Sequence, residues 1–294
     1  MSLSRRRALL AGVLAAGVSG TASAAVTSTD VCRRRWQTLE INSRTLGQIR
    51  RVQVHVPDTA VARENVTLLC VLDAERFFET AVAFAGALER MRGARLGPCV
   101  VLGINNAEHR TRDLTPSPSS ARRDGTLDPG GLVRGGGAQR FAQALQTEFL
   151  PCVQRWLREQ GGIGIQRRIL VGHSFAGLFV LQTLACRPEL FDDYAAFDPS
   201  LWWDKGKWAQ AWMHKGCSNA QGKRLYVAFA SVARRVNVLH RQMAQRFETH
   251  GVPRLLGQGV ETVCRDFENE IHGTVPYPAL FDALKTWFVA FGND

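Results

Sequence analysis

The sequence predicts an α/β chain with a mostly parallel central sheet and helices on both faces, and three observations carry that expectation. Apolar runs of strand length alternate with stretches long enough for helices. One such run ends in the small-residue turn Val171-Gly172-His173-Ser174-Phe175-Ala176-Gly177, and a late histidine, His272, follows the last strand candidate. Taken in order, Val52–Val56 alternates polar and apolar residues, as an antiparallel strand covered on one face does. Val66–Leu72 and Cys99–Ile104 are nearly unbroken apolar runs, the pattern of parallel strands buried on both faces. Ile169–Gly172, Tyr194–Phe197, Leu225–Phe229 and Val260–Phe267 complete the strand candidates. Helices are expected at Phe78–Met91, Ala138–Leu157 with a kink at Pro151, Leu178–Cys186, Asn237–Thr249 and Tyr277–Phe291. Leu239, Met243 and Phe247 recur every four residues, as one buried helical face should. Thr111–Gly137, rich in Ser, Pro, Arg and Gly, reads as the longest loop. Ligands of open α/β sheets bind beyond the carboxyl ends of the strands, so Asp73, Asn105, Ser174, Asp198 and Ser231 are expected along one rim.

At 294 residues and 45% hydrophobic content, with no repeat and no long polar linker, one domain over residues 25–294 is expected. Residues 1–24 read as an export signal: Ser4-Arg5-Arg6-Arg7-Ala8-Leu9-Leu10 leads an apolar stretch of roughly 15 residues, and Ala22-Ser23-Ala24 offers a small-residue cleavage site. The paired arginines resemble the twin-arginine class, so the export machinery is an expected partner and the address is periplasmic or secreted. The apolar stretch is too short for a stable membrane anchor. The formal charge is +11, and removal of residues 1–24 takes away three arginines and no acids, leaving +8. That suits anionic ligands. No zinc-finger spacing and no stripe of aromatics among basic residues appears, which excludes nucleic acid as the expected partner. Seven cysteines permit disulfides in an exported protein but leave an odd thiol. Their spacing favours no metal site, and no cofactor is expected. Cys70, Cys99 and Cys264 sit in strand-like runs and read as small buried hydrophobes.

The chemistry is read from the serine turn. A sharp strand-to-helix turn pushes a serine Oγ out of the backbone at the positive end of the following helix, and here Gly172 and Ala176 flank Ser174 at the two small-residue positions, with Gly177 one place later. Chain order then tests the idea, because this architecture runs Ser, acid, His. His272 sits between the last strand and last helix candidates, where the general base belongs, while His173, beside the nucleophile, reads as structural. The acid is open. Val227 to Phe247, the usual place for it, contains no Asp or Glu; either a Ser174–His272 dyad operates, or Asp198 at the end of the preceding strand orients the imidazole, or Glu268 or Glu270 does. Two amides must face the developing oxyanion. Those of Phe175 and Ala74 are the candidates, the latter where Leu72-Asp73-Ala74-Glu75 leaves an early strand; a plain tight turn without that role is the alternative there.

Several segments together resemble the esterase D-like α/β-hydrolases, and among them the siderophore-esterase branch that cleaves enterobactin- or salmochelin-type trilactones. They are Val71-Leu72-Asp73-Ala74, Gly103-Ile104 with Arg110-Thr111-Arg112-Asp113-Leu114-Thr115-Pro116, the serine turn itself, Asp198-Pro199-Ser200-Leu201-Trp202-Trp203, and His272-Gly273-Thr274-Val275-Pro276, spanning roughly residues 45–290. The family usually has glycine at the positions of Ala74 and Ala176 and serine at that of Asp198. The resemblance implies catalysis by Ser174 and His272, oxyanion amides near Ala74 and Phe175, and a substrate flanked by Arg110, Arg112, Trp202 and Trp203. Some members of the branch look like Ser-His dyads. The expected function is thus an exported serine esterase acting through an acyl-Ser174 intermediate on a small-molecule ester, a ferric siderophore foremost. A general carboxylesterase or acyltransferase and a non-catalytic binding protein of the same fold are the alternatives.

Overall fold

The computed structural model describes residues 36–289. The export signal, Cys32 and the Arg33-Arg34-Arg35 group lie outside the described residues. Among the described residues ten strands form, β1 (Gln37–Ser43), β2 (Gln48–His55), β3 (Val66–Leu72), β4 (Cys99–Ile104), β5 (Pro118–Ser119), β6 (Arg134–Gly135), β7 (Ile165–His173), β8 (Asp193–Phe197), β9 (Arg224–Ala230) and β10 (Glu261–Phe267). Eight make one sheet in the order β1-β2-β4-β3-β7-β8-β9-β10, while β5 and β6 pair separately inside the long loop. From β4 to β10 every pairing is parallel; β1 and β2 join antiparallel at one edge.

Every residue of β3 and β4 is buried, as continuous apolar runs predict for strands covered on both faces. Side chains alternate between the faces. Leu68, Cys70 and Leu72 enter one core with Phe141, Phe179 and Phe247, whereas Leu69 and Val71 enter the other with Phe78, Ala81 and Leu284. The second core is closed by α1 (Ala74–Glu89) and α10 (Pro276–Phe288). Opposite it lie α3 (Ala138–Ala144), α4 (Leu150–Gly161) and α5 (Phe175–Cys186); α2 (Arg110–Leu114) opens the long loop, and α6 (Lys207–Lys215), α7 (Ser231–Val236), α8 (Val238–Arg246) and α9 (Val252–Gly257) fill the connections around β9. Among the described residues no helix is long and apolar enough to cross a membrane.

Three expectations need correction. The kink assigned to Pro151 is a π-turn over Leu145–Phe149, which widens the backbone where proline cannot donate to the preceding turn. α1 begins at Ala74 instead of Phe78, so Ala74 stands in the first turn of a helix and not in a plain tight turn. Cys264 is only partly buried, because β10 is an edge strand; Cys70 and Cys99 are buried as expected.

Candidate active site

The serine turn forms at the end of the central strand β7. Ser174 is held at φ 62°, ψ −117°, a strained conformation for a residue with a side chain, and its amide bonds the Phe197 carbonyl at 2.9 Å. The small residues around it have distinct jobs. A Cβ on Gly172 would stand 2.5 Å from the Ala176 carbonyl, so the strand and the first helical turn touch through backbone. Ala176 is itself fully buried, its methyl using space that the missing Gly172 side chain leaves. Gly177 passes close to β8: a Cβ there would be 3.2 Å from the Phe197 oxygen.

His272 Nε2 lies 3.1 Å from Ser174 Oγ, and His272 Nδ1 lies 2.5 Å from Asp198 Oδ2. The loop after β10 thus brings the imidazole between a serine from the end of β7 and a carboxylate from the end of β8. Glu268 is exposed and Glu270 only partly buried; the carboxylate bonded to His272 is that of Asp198. Asp198 is fully buried at φ 39°, and its other oxygen, Oδ1, accepts from the Ala230 amide at 3.2 Å and meets His240 Nε2 at 2.9 Å. Burial by itself would raise this carboxyl, but the hydrogen bonds and charges of His240 and His272 outweigh it and hold it well below the usual carboxylate range. Ser200 Oγ is a further neighbour of the serine, 3.2 Å from Ser174 Oγ.

His173 packs its ring against His272, centroid to centroid 4.4 Å, with Phe77 edge-on behind it at 5.8 Å. Burial first, and then the nearby His272, push it down to about 3, so it is neutral at ordinary pH. The amides of Phe175 and Ala74 open α5 and α1, and the first amides of a helix have no partner within it. Asp73, in the left-handed region at φ 52°, sets the α1 start; its amide donates to Asn106 Oδ1 at 3.2 Å. Its carboxylate is gripped by Arg110, through Nε at 3.0 Å and Nη2 at 2.8 Å. Arg110 also donates to the His173 carbonyl at 3.2 Å and lies over the Phe175 ring at 5.2 Å. Arg112 pairs with Asp113 at 2.7 Å.

Trp202 and Trp203 are nearly buried around Phe175, and Trp203 Nε1 donates to the Ser117 carbonyl at 2.8 Å. Together these three rings form one wall of a cleft of about 240 Å³ whose basic lining comes from Arg122, Arg123 and Arg134 of the long loop. Nε and Nη2 of Arg123 are buried without a hydrogen-bond partner. Sequence reasoning missed these arginines, since a polar loop of unknown path gives no direction to its side chains. It also missed His240, although Asn237 three residues earlier is a helix-capping residue and does accept the His240 amide at 2.9 Å.

The parallel sheet, with a strained serine at the end of its central strand and a histidine and a carboxylate beside it, defines an α/β-hydrolase. Within that class the chain belongs to the esterase family, whose model, described as "Putative esterase", matches residues 43–252. It is 30% identical over 160 residues to the siderophore triacetylfusarinine C esterase of Aspergillus fumigatus, covering 51% of this chain and 50% of that protein. It is 28% identical over 172 residues to the ferri-bacillibactin esterase BesA of Bacillus subtilis, covering 56% and 58%. The chain thus spans about half the length of these relatives. An IroE-like serine hydrolase from Shewanella oneidensis shares the fold, with a TM-score of 0.73 at 24% identity over 86% of this chain and 80% of that one.

Proposed function

We propose that the protein is a serine esterase that opens the ester bonds of a catecholate siderophore of the enterobactin-like trilactone type, through an acyl-Ser174 intermediate. The observation that carries the reading is the line of contacts Ser174 Oγ, His272 Nε2, His272 Nδ1, Asp198 Oδ2. Ser174 Oγ attacks the ester carbon while its proton passes to His272 Nε2. The charge on the carbonyl oxygen is met by the Phe175 and Ala74 amides, donors of a kind each worth about 10²–10³ in rate. The protonated imidazole, stabilised by ionised Asp198, returns the proton to the departing alkoxide; water then releases the acid by the same steps in reverse.

Substrate class is read from the adjoining cleft. Tryptophan and phenylalanine faces stack planar aromatic rings, and arginines pair with anionic oxygens. Arg123, whose Nε and Nη2 are buried without a hydrogen-bond partner, is among the residues lining this cleft. Relatives named as siderophore esterases support siderophore esters as the broader substrate class. The test is turnover of an enterobactin-type trilactone and of p-nitrophenyl esters by wild type and Ser174→Ala. The substitution should remove nearly all hydrolysis while trilactone binding persists; comparable turnover by both proteins would refute the covalent route. Cleavage of p-nitrophenyl esters alone would replace the siderophore reading by a general carboxylesterase.

We also propose export through the twin-arginine route, on the strength of Arg5, Arg6 and Ala22-Ser23-Ala24. Protein recovered from an extracytoplasmic fraction should begin at Ala25, and Lys at positions 5 and 6 should keep it inside. An intact Met1 or Ser2 on the functional pool would overturn this.

A further inference from the structure

The Asp198 carboxylate lies between two histidines, and only one of them takes part in the reaction just described. The other, His240, is wholly buried at the start of α8, with Nε2 2.9 Å from Asp198 Oδ1. An ionised carboxylate can only accept, so the proton of this contact belongs to Nε2. Nδ1 is buried without a hydrogen-bond partner. The division of labour on Asp198 is complete: Oδ1 takes His240 Nε2–H and the Ala230 amide, leaving Oδ2 for His272.

Local structure fixes the second histidine as firmly as the first. Asn237 caps α8 by accepting the His240 amide at 2.9 Å, and the same side chain donates to the Arg123 carbonyl at 3.2 Å. The Phe229 ring stands edge-on to the imidazole at 6.3 Å. His240 therefore begins the buried stripe of α8, continued by Met243, Ala244 and Phe247. The segment after β9, which holds no Asp or Glu between Val227 and Phe247, delivers a histidine to the carboxylate that leaves β8.

We propose that His240 is a positioning residue, whose Nε2–H locks the Asp198 carboxylate in the rotamer that presents Oδ2 to His272. The inference rests on the proposed role of Asp198. A hydrogen bond to a buried charge fixes orientation, and losing it lets the carboxylate turn or share its charge with other donors.

The experiment compares wild type with His240→Leu, His240→Gln and Asp198→Asn on a p-nitrophenyl ester, with kcat normalised to the fraction of enzyme labelled to completion by a fluorophosphonate, well below each melting temperature. His240→Leu should lower kcat about 10- to 100-fold with KM nearly unchanged. His240→Gln, whose amide can donate to Oδ1, should recover most of that loss, and the low-field proton resonance of His272 Nδ1 should move in the Leu variant and return toward its place in the Gln variant. A kcat for His240→Leu within threefold of wild type, with Asp198→Asn strongly impaired, would overturn the role of His240 alone. Equal losses in Leu and Gln variants that track melting temperature, with the resonance unmoved, would make it a packing residue. Full activity in Asp198→Asn would overturn the Asp198 reading and this inference with it.

Discussion

At Ser174, Asp198 and His173 the chain accepts local cost in return for placement. The first two hold positive φ, and the third keeps an imidazole where neither ring nitrogen has a partner. His173 makes that cost measurable. Burial, reinforced by His272, holds it to about 3, against 6.5 for an unperturbed imidazole. Between those values the unfolded chain binds a proton that the folded protein does not, so stability must fall as pH falls from 6.5 toward 3. The slope from one such group is at most about 1.4 kcal/mol per pH unit. Asp198 acts lower and in the same direction: its depressed carboxyl supports the fold above 3.8 and ceases to do so only as pH drops through its folded value. Replacing His173 by Phe should therefore reduce the stability lost between about pH 6.5 and 4.5 by roughly 1–2 kcal/mol in urea unfolding. Parallel pH dependences in the two proteins would mean that His173 is protonated without unfolding.

Elements were legible where one signal dominated. β3 and β4 match the expected Val66–Leu72 and Cys99–Ile104 because both faces of the sheet are covered and nothing polar interrupts them. β7 starts at Ile165, four residues before its apolar run, because Arg167 in its first half is satisfied by Asp193 at the start of β8, which Arg224 of β9 also grips. A charge whose partner lies some 25 residues away looks like a loop in the sequence. The same limit applied to the site. Ser174 and His272 could be read from turn chemistry and chain order, whereas Asp198 stood beside a dyad and two glutamates until the β8 turn carried it to His272. The predicted stripe formed, with Met243 and Phe247 buried and Leu239 partly buried against the same core, but nothing in its spacing set His240 apart from the rest of the helix. Pro253, like Pro151, follows a π-turn, here Phe247–Gly251, through which the helix expected over Asn237–Thr249 runs on beyond its expected end into α9.

Across the whole molecule, charge and cleft point to the same ligand chemistry. The chain carries +11, or +8 without residues 1–24, and three arginines line the cleft beside Phe175. A net field of this sign raises the encounter rate of anions, and apolar walls focus it at a cleft mouth. Screening shortens its reach from about 30 Å at 0.01 M salt to about 10 Å at 0.1 M. A ferric tris-catecholate is an anion, whereas p-nitrophenyl acetate is neutral and needs no steering. Raising ionic strength from about 0.01 to 0.3 M should then lower kcat/KM for the ferric trilactone about tenfold, near the lower end of known steering effects, and leave that for p-nitrophenyl acetate within about twofold. Replacing Arg122 and Arg134 by Gln should flatten the salt dependence of the trilactone alone, because both are exposed in the cleft lining, where Asp128, 3.9 Å from Arg122, offsets only part of their charge. If the two substrates respond to salt alike, the positive charge serves solubility, and substrate choice rests on the aromatic wall of Phe175, Trp202 and Trp203.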